Sequence, residues 1–122
     1  IGKYKGLVPT GADAQLAVLM ASGGVVPCAS LSRGAREQLF LAMRMAYIRD
    51  HGRHAEPLPV IMDDILVNFD PERAYRTAQS LANLAENQQV LFFTCHPRIA
   101  ELLSAFKHKA FEIEDGVIHE KK

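Results

Sequence analysis

A chain of 122 residues with 48% hydrophobic side chains is typical of one globular domain or part of one, which excludes a disordered protein. Its fourteen basic and fourteen acidic side chains cancel, so the whole chain has no strong attraction to nucleic acid or anionic membranes. The sequence shows no signal peptide and no apolar run long enough to cross a bilayer, which predicts a cytoplasmic protein without a membrane partner. Cys28 and Cys95 form no C-x-x-C pair and are expected to be reduced thiols.

The first thirty residues have the pattern of short strands. Apolar runs at 4–8 and 15–20 are separated by a turn sequence at 9–13. A second turn, at 22–24, leads into a third short run at 25–27. This order predicts a small antiparallel β segment.

A long helix is predicted over 33–50, with the Ser32 hydroxyl accepting a hydrogen bond from a free amide of the first turn. Gly52 is expected to end it in a left-handed cap. Apolar side chains recur at helical spacing and predict a buried stripe formed by Leu39, Ala42, Met43, Ala46 and Tyr47.

The remainder alternates strands with helices. Apolar runs at 59–62 and 90–94 predict two buried strands, and the helix between them, 71–86, has Asp70 as its cap and Pro71 in its first turn. That helix is expected to bury Ala74, Ala78, Leu81 and Ala85. The strand–helix–strand order predicts a parallel α/β layer.

The chain is predicted to end with a helix and a hairpin. Pro97 opens a helix that is expected to continue to residue 106. The Asp115-Gly116 turn joins two short strands, 110–113 and 117–119.

Acidic side chains follow the first strand of the α/β layer. Because ligands bind at the carboxyl ends of strands in open α/β sheets, Asp63 and Asp64 are candidates for holding Mg²⁺ and for orienting an attacking water. The alternative is a pair of turn-forming acids that end a strand.

Two further positions, at the end of a strand and at the start of a helix, carry groups that can bind an anion. His96 follows the second strand and could contact a γ-phosphate or the attacking water, or it could only cap the following helix. The free amides at the start of the long helix, with Ser32 and Gly34, could bind a phosphate, or Ser32 could be a plain N-cap. Cys95 beside His96 could suggest metal ligands, but the sequence offers no second pair.

Taken in order, these residues resemble the C-terminal lobe of an ABC-type ATPase, in the branch of SMC, RecN and YhaN-like proteins. Residues 31–34 resemble the ABC signature, 58–63 the Walker B strand and 67–70 the D-loop. Asp64 lies at the position of the catalytic acid and His96 at that of the switch histidine. The combination is most similar to YhaN-like bacterial DNA-repair ATPases.

This resemblance implies roles for named residues. Leu31, Ser32, Arg33 and Gly34 would form the signature that covers ATP bound by a second head, with Ser32 and Gly34 contacting its γ-phosphate. Asp63 would help to hold Mg²⁺.

The remaining motif residues would act on hydrolysis. Asp64 would polarise the attacking water and His96 would sense the γ-phosphate, whereas Asp70 would act across the interface between the heads. The family usually has Glu at the position of Asp64, and Arg33 replaces the first Gly of the common LSGG form.

The sequence contains no G-x-x-x-x-G-K-[ST] phosphate-binding loop. In the SMC-like branch this Walker A loop lies in an N-terminal lobe, so the resemblance implies a P-loop NTPase fold split between two segments. The whole chain, 1–122, would be one C-terminal lobe, with a β-rich segment over 1–30, the motif region over 31–107 and a terminal hairpin over 108–122. It begins without Met, and we expect a fragment that is inactive alone.

Two functions remain open. The chain could be half of an ATPase that binds and hydrolyses ATP between two heads, with an N-terminal lobe, a second identical head and DNA as partners, in DNA repair or chromosome maintenance. Alternatively, it could be a dimerisation module that closes on nucleotide without hydrolysing it, because Asp64 is one methylene shorter than the usual Glu.

Overall fold

The computed structural model describes residues 4–11 and 15–121. They form two compact units, Ile1–Tyr47 and Ile48–Lys122. The strands and helices, in chain order, are β1 (Tyr4–Thr10), β2 (Gln15–Met20), β3 (Val25–Pro27), a short 3-10 helix (Cys28–Ser30), α1 (Arg33–His54), β4 (Val60–Asp63), α2 (Pro71–Ala85), β5 (Val90–Phe93), α3 (Pro97–Ser104), β6 (Ala110–Glu114) and β7 (Val117–Lys121).

The first unit contains an antiparallel sheet in the order β1–β2–β3, as the sequence predicts. Val18 in the central strand pairs with Leu7 on one side and Val26 on the other, and it is buried together with Ala17. Gly23 adopts a φ of 94° in the turn before β3, a conformation that side chains with a Cβ rarely adopt. In this segment β2 therefore pairs with both other strands, and a turn that contains Gly23 connects β2 to β3.

The turn after β1 begins later than predicted. The strand continues through Pro9 and Thr10, and the turn begins at Gly11 with a φ of 67°. The Thr10 hydroxyl donates to the Gln15 carbonyl over 3.1 Å, which joins the facing ends of the two strands. Residues 12 and 13 of the predicted turn lie outside the described part of the chain.

Helix α1 extends four residues beyond its predicted end, so the left-handed cap at Gly52 is wrong. Gly52 lies inside the helix, and the Ala55 amide still donates to the His51 carbonyl over 2.9 Å. An interior glycine costs a helix only about 1 kcal/mol, which neighbouring turns can offset. Pro57 then stops the helix, because a proline disfavours helical backbone at the residue before it.

The buried stripe predicted on α1 is also wrong. Met45 is the one buried side chain among the described residues of this helix, whereas Tyr47 is 73% exposed and Phe40 is 50% exposed. Helical spacing places apolar side chains on one face, but burial also requires another element to cover that face.

The second unit is built on a parallel pair of strands, as predicted. β4 and β5 pair in register, and α2 connects them. The side chains of α2 that are buried are Ala74, Ala78, Leu81 and Leu84. Leu84 replaces the predicted Ala85, which is exposed. Positions 84 and 85 both border the apolar stripe, and the larger side chain gains more from burial.

Among the described residues of the second unit, the strand pair has one buried face and one exposed face, contrary to the expectation that both faces are buried. Met62 is buried on the covered face, but Ile61, Leu91 and Phe93 are 70%, 39% and 44% exposed. Ile61 pairs with Leu91, and the side chains of a strand alternate between faces, so these three residues share one surface. We call Ile61, Leu91 and Phe93 the open sheet face.

The chain ends with α3 and the predicted hairpin of β6 and β7. Asp115 and Gly116 both have positive φ, 48° and 78°, as a two-residue type I′ turn requires. A Glu112–Lys121 ion pair of 3.1 Å joins the two strands. α3 is two residues shorter than predicted, because the chain turns at Ala105 and Phe106.

Candidate functional site

The parallel pairing of β4 and β5 brings their polar carboxyl-terminal residues together. Beyond the last residue of β4, the Asp64 amide donates to the Phe93 carbonyl over 3.0 Å. Asp64 then leaves the strand with a φ of 47°, in the left-handed region. Aspartate is among the residues that tolerate this region best. The turn places Asp64 beside the residues that follow β5.

The Asp64 carboxylate faces three consecutive residues, Thr94, Cys95 and His96. The Thr94 hydroxyl donates to Oδ1 over 2.7 Å. The Cys95 thiol donates to Oδ2 over 3.5 Å, and His96 Nε2 lies 3.7 Å from the same Oδ2. One oxygen of Asp64 is thus held by a hydroxyl, while the other faces a thiol and an imidazole.

These contacts shift the pKa of two side chains in opposite directions. The Thr94 hydrogen bond, with smaller contributions from Cys95 and His96, lowers the pKa of Asp64 below its ordinary value of 3.8. The hydrogen bond to the Asp64 carboxylate, followed by its negative charge, raises the pKa of the Cys95 thiol above 9.0. At neutral pH the site therefore holds an ionised carboxylate and a protonated thiol.

Thr94 also shapes the turn that leads into α3. Its hydroxyl oxygen accepts a hydrogen bond from the His96 amide over 3.1 Å while it donates to Asp64. His96 occupies the N-cap position of α3, but its imidazole makes no capping hydrogen bond. Its side chain is instead 45% exposed and lies beside Asp64. The interpretation of His96 as only a helix cap does not describe its side chain.

Asp63, the predicted Mg²⁺ ligand, is the last residue of β4 and is exposed. Its carboxylate oxygens are accessible at the same end of the sheet as Asp64, and they are hard donors of the kind that Mg²⁺ prefers. The donor chemistry of this position fits the ion.

Asp70 begins α2 and is engaged locally. Its Oδ1 accepts from the Arg73 amide over 3.0 Å, and its Oδ2 forms an ion pair of 2.9 Å with the Arg73 guanidinium. The predicted N-cap is therefore confirmed. Half of the Asp70 side chain remains exposed, so one carboxylate serves the helix and faces solvent.

The signature-like residues belong to the first unit. Ser32 accepts from the Ala35 amide over 3.3 Å, so it caps α1 as predicted. The Arg33 side chain is 85% exposed and pairs with Glu37 over 3.0 Å. Leu31 and Gly34 are half-buried. The structure brings Asp63, Asp64 and His96 to one sheet edge within the second unit. The four signature-like residues, 31–34, lie instead at the start of α1, and Asp70 lies at the start of α2.

Sequence reasoning missed the parts played by Thr94 and Cys95. The sequence offers Cys95 and His96 as a ligand pair without a third member, and the third, Asp64, lies 31 residues before Cys95. The signal was the polar Thr-Cys-His run directly after a strand predicted to be parallel to β4, because carboxyl ends of parallel strands meet. No helix within the described residues is long and apolar enough to span a membrane.

Comparison with known proteins gives relatives that are much longer than this chain. No family model matches. The protein YhaN of Bacillus subtilis is 34% identical over 101 residues, which are 82% of this chain and 10% of YhaN. The uncharacterized protein Rv1278 of Mycobacterium tuberculosis is 35% identical over 72 residues, 59% of this chain and 8% of that protein. The chain thus spans about a tenth of the curated relatives it matches.

A solved structure from work on ATP-driven dimerization and DNA-stimulated activation of SMC ATPases matches with a TM-score of 0.63 at 18% identity. The match covers 88% of this chain and 63% of that one. The two comparisons confirm the resemblance predicted from the motifs: the chain is similar to part of a YhaN-like protein and has a fold like that of SMC ATPases.

Proposed function

Because the chain resembles a region of an SMC/YhaN-like ATPase, we propose that it is the C-terminal lobe of a split ATPase head. The observation that carries this proposal is the convergence of Asp63, Asp64 and His96 at the carboxyl edge of a parallel strand pair. In such sheets that edge is where nucleotides and their metal ions bind. The head would bind and hydrolyse ATP at an interface with a second head.

The described contacts suit the proposed work of Asp64. The Thr94 hydroxyl holds Oδ1, which leaves Oδ2 directed toward His96 and available to a water molecule. The lowered pKa keeps the carboxylate ionised, so it would orient and polarise water and would accept a proton only weakly. His96, 3.7 Å from Oδ2, would sense the γ-phosphate.

The remaining motif residues would act around this centre. Asp63 would supply a carboxylate oxygen to Mg²⁺, which when bound neutralises charge on the phosphates. Leu31, Ser32, Arg33 and Gly34 would begin a helix whose free amides attract the γ-phosphate of ATP held by the second head. Asp70, half exposed beside Arg73, would reach across the interface between the heads.

The open sheet face supports the proposal that another segment completes the head. Parallel sheets are normally covered on both faces, and an isolated two-stranded sheet is marginally stable. Ile61, Leu91 and Phe93 leave one face uncovered, and the relatives extend far beyond the matched segment. We infer that an N-terminal lobe carrying the Walker A loop covers this face and supplies the missing strands.

A second candidate function is a nucleotide-dependent dimerisation module that hydrolyses ATP very slowly. The observation that favours it is the aspartate at position 64, because its side chain is one methylene shorter than the glutamate usual in the resembled family. In this case ATP would hold two heads together, and the heads would separate without hydrolysing it.

The test is Mg-ATP hydrolysis by the full-length protein that contains this chain, beside its Ser32→Arg, Asp64→Asn and Ser104→Arg variants. For a hydrolysing head, both Ser32→Arg and Asp64→Asn abolish turnover, and Ser104→Arg, at an exposed serine on α3, leaves it unchanged. For the slow module, Asp64→Asn changes little, while Ser32→Arg prevents the dimerisation driven by ATP. Absence of both ATP-dependent dimerisation and turnover in the wild type would reject the proposal.

DNA repair or chromosome maintenance is the biological setting that we propose for the complete protein, with DNA as the distal partner and an identical head as the near one. The neutral overall charge of this chain suits a lobe that engages nucleotide while DNA binds elsewhere. Measuring turnover with and without double-stranded DNA tests this setting, because a head coupled to DNA is expected to hydrolyse faster when DNA is present.

A further inference from the structure

We propose that Asp64, Cys95 and His96 form a binding site for a thiophilic divalent metal ion, with Zn²⁺ as the best match. One donor atom from each side chain, a carboxylate oxygen, a thiol sulfur and an imidazole nitrogen, lies within 4.8 Å of the others. Mixed oxygen, sulfur and nitrogen sets of this kind are ligands for Zn²⁺, whereas Mg²⁺ prefers oxygen alone.

The distances are close to those of a tetrahedral site. Usual Zn–ligand bond lengths place sulfur and oxygen about 3.5 Å apart, and nitrogen and oxygen about 3.3 Å apart, along the edges of a tetrahedron. Here Cys95 Sγ and Asp64 Oδ2 are separated by 3.5 Å, and His96 Nε2 and the same Oδ2 by 3.7 Å. The third separation, between Cys95 Sγ and His96 Nε2, is at most 4.8 Å, so the two side chains would move toward each other as the ion binds.

The residue next to the three ligands gives the site an ordered outer shell. Thr94 donates to Oδ1 of Asp64 over 2.7 Å, so the other oxygen, Oδ2, is the one left facing the sulfur and nitrogen donors. Its hydroxyl also accepts from the His96 amide, which fixes the backbone of a second ligand. Such hydrogen bonds orient ligands before an ion binds, and their loss weakens metal affinity about 10- to 100-fold.

The site is accessible and has room for a fourth ligand. Cys95 is exposed, and the side chains of His96 and Asp64 are 45% and 32% exposed. Three protein ligands with an open fourth position would bind Zn²⁺ with a water molecule completing the coordination, and the Cys95 thiol would release its proton to solvent as the ion replaces its hydrogen bond to Asp64.

The consequence for activity rests on the proposed function. An ion held by Asp64 and His96 would occupy the two groups assigned to the attacking water and the γ-phosphate. Zn²⁺ would therefore inhibit the proposed ATPase, and a chelator would restore it.

The direct test is Co²⁺ titration of the 122-residue chain without nucleotide, followed by displacement with Zn²⁺. We expect thiolate-to-cobalt charge-transfer absorption and tetrahedral d–d bands, both lost on adding Zn²⁺.

Cys95→Ser should remove the charge-transfer band, and His96→Gln should weaken binding by at least about tenfold. The matched controls Cys28→Ser and His108→Gln should leave both signals unchanged. Thr94→Val should weaken binding about tenfold without removing the band.

Absence of the charge-transfer band in the wild-type chain, or its persistence in Cys95→Ser, would overturn the site. Circular dichroism of each variant separates loss of a ligand from loss of folding, and His96→Gln provides a second route if Cys95→Ser unfolds. Since these measurements use no ATP, failure of the metal site is distinguished from failure of the ATPase proposal, which is tested by turnover in metal-buffered solution.

Discussion

Thr94 donates its hydroxyl to Oδ1 of Asp64 over 2.7 Å and joins the ends of two parallel strands that are 30 residues apart in sequence. The bond selects which carboxylate oxygen faces His96 and Cys95. It also contributes most to the lowered pKa of Asp64. A neutral hydroxyl thus orients the proposed catalytic acid and makes the largest contribution to lowering its pKa.

Replacing Thr94 with Val should raise the pKa of Asp64, because the variant keeps the shape of the side chain and removes the donor. The measurement is an NMR titration of the Asp64 side-chain carboxyl carbon. Thr94→Ser should retain the wild-type titration, and Thr10→Val, which removes a hydroxyl from the β1–β2 turn, should not alter it. An unchanged Asp64 titration in Thr94→Val would show that the hydroxyl is not the main cause.

Stability should depend on acid through Asp64. Since its pKa in the folded chain lies below the ordinary value of 3.8, ionised Asp64 stabilises the fold fully above that value. This contribution is lost as pH falls through the folded-state pKa. Thermal unfolding of wild type and Asp64→Asn should therefore differ by a constant amount above about pH 5, and the difference should shrink only as pH falls below 3.8 toward the folded-state pKa. If the difference in stability between the two proteins instead grew as pH fell, ionised Asp64 would not stabilise the fold.

Asp70→Ala should destabilise the fold by about 1 kcal/mol, because it removes both the cap of α2 and the ion pair with Arg73. Urea unfolding measures the change. Asp70→Ser keeps a capping oxygen and should recover most of the loss, which separates the cap from the charge. Equal losses in the two variants would show that the ion pair matters more than the cap.

Leu66→Ala should cost about 2–5 kcal/mol, because Leu66 is fully buried in the turn after β4 and its truncation leaves a cavity. Leu58→Ala is the matched control: that side chain is 62% exposed and should change the free energy of unfolding by less than about 0.5 kcal/mol. Denaturant midpoints of the two variants give the comparison. Similar midpoints would mean that the core of the second unit is not where the structure places it.

We expect the isolated chain to self-associate through the open sheet face, because that face is apolar and exposed. Ile61→Lys places a charge on this face and should reduce the association. Sedimentation velocity over a range of concentrations measures the association. The Ile61→Lys substitution should change the midpoint of unfolding only slightly, since Ile61 is 70% exposed. Tyr47→Lys, at an exposed aromatic in the first unit, is the control and should leave the association unchanged.

The sequence predicts the site better than it predicts burial. Asp64 and His96 meet because parallel strands end at a common edge, a rule that needs only the strand–helix–strand order. The contribution of Thr94 depends on a hydrogen bond to Asp64, which lies 30 residues earlier in the sequence, and no local sequence pattern predicts such a contact. Side-chain exposure on α1 and on the open sheet face was mispredicted, since periodicity identifies an apolar face but not whether anything covers it.

The left-handed backbone of Asp64, with φ of 47°, also limits how this position can evolve. Left-handed backbone favours glycine, asparagine and aspartate over longer or branched side chains. An exchange to the glutamate usual in the resembled family would therefore have to arise together with a rearranged turn. Under the proposed function, the aspartate at position 64 would therefore reflect the local backbone conformation as well as the chemistry of hydrolysis.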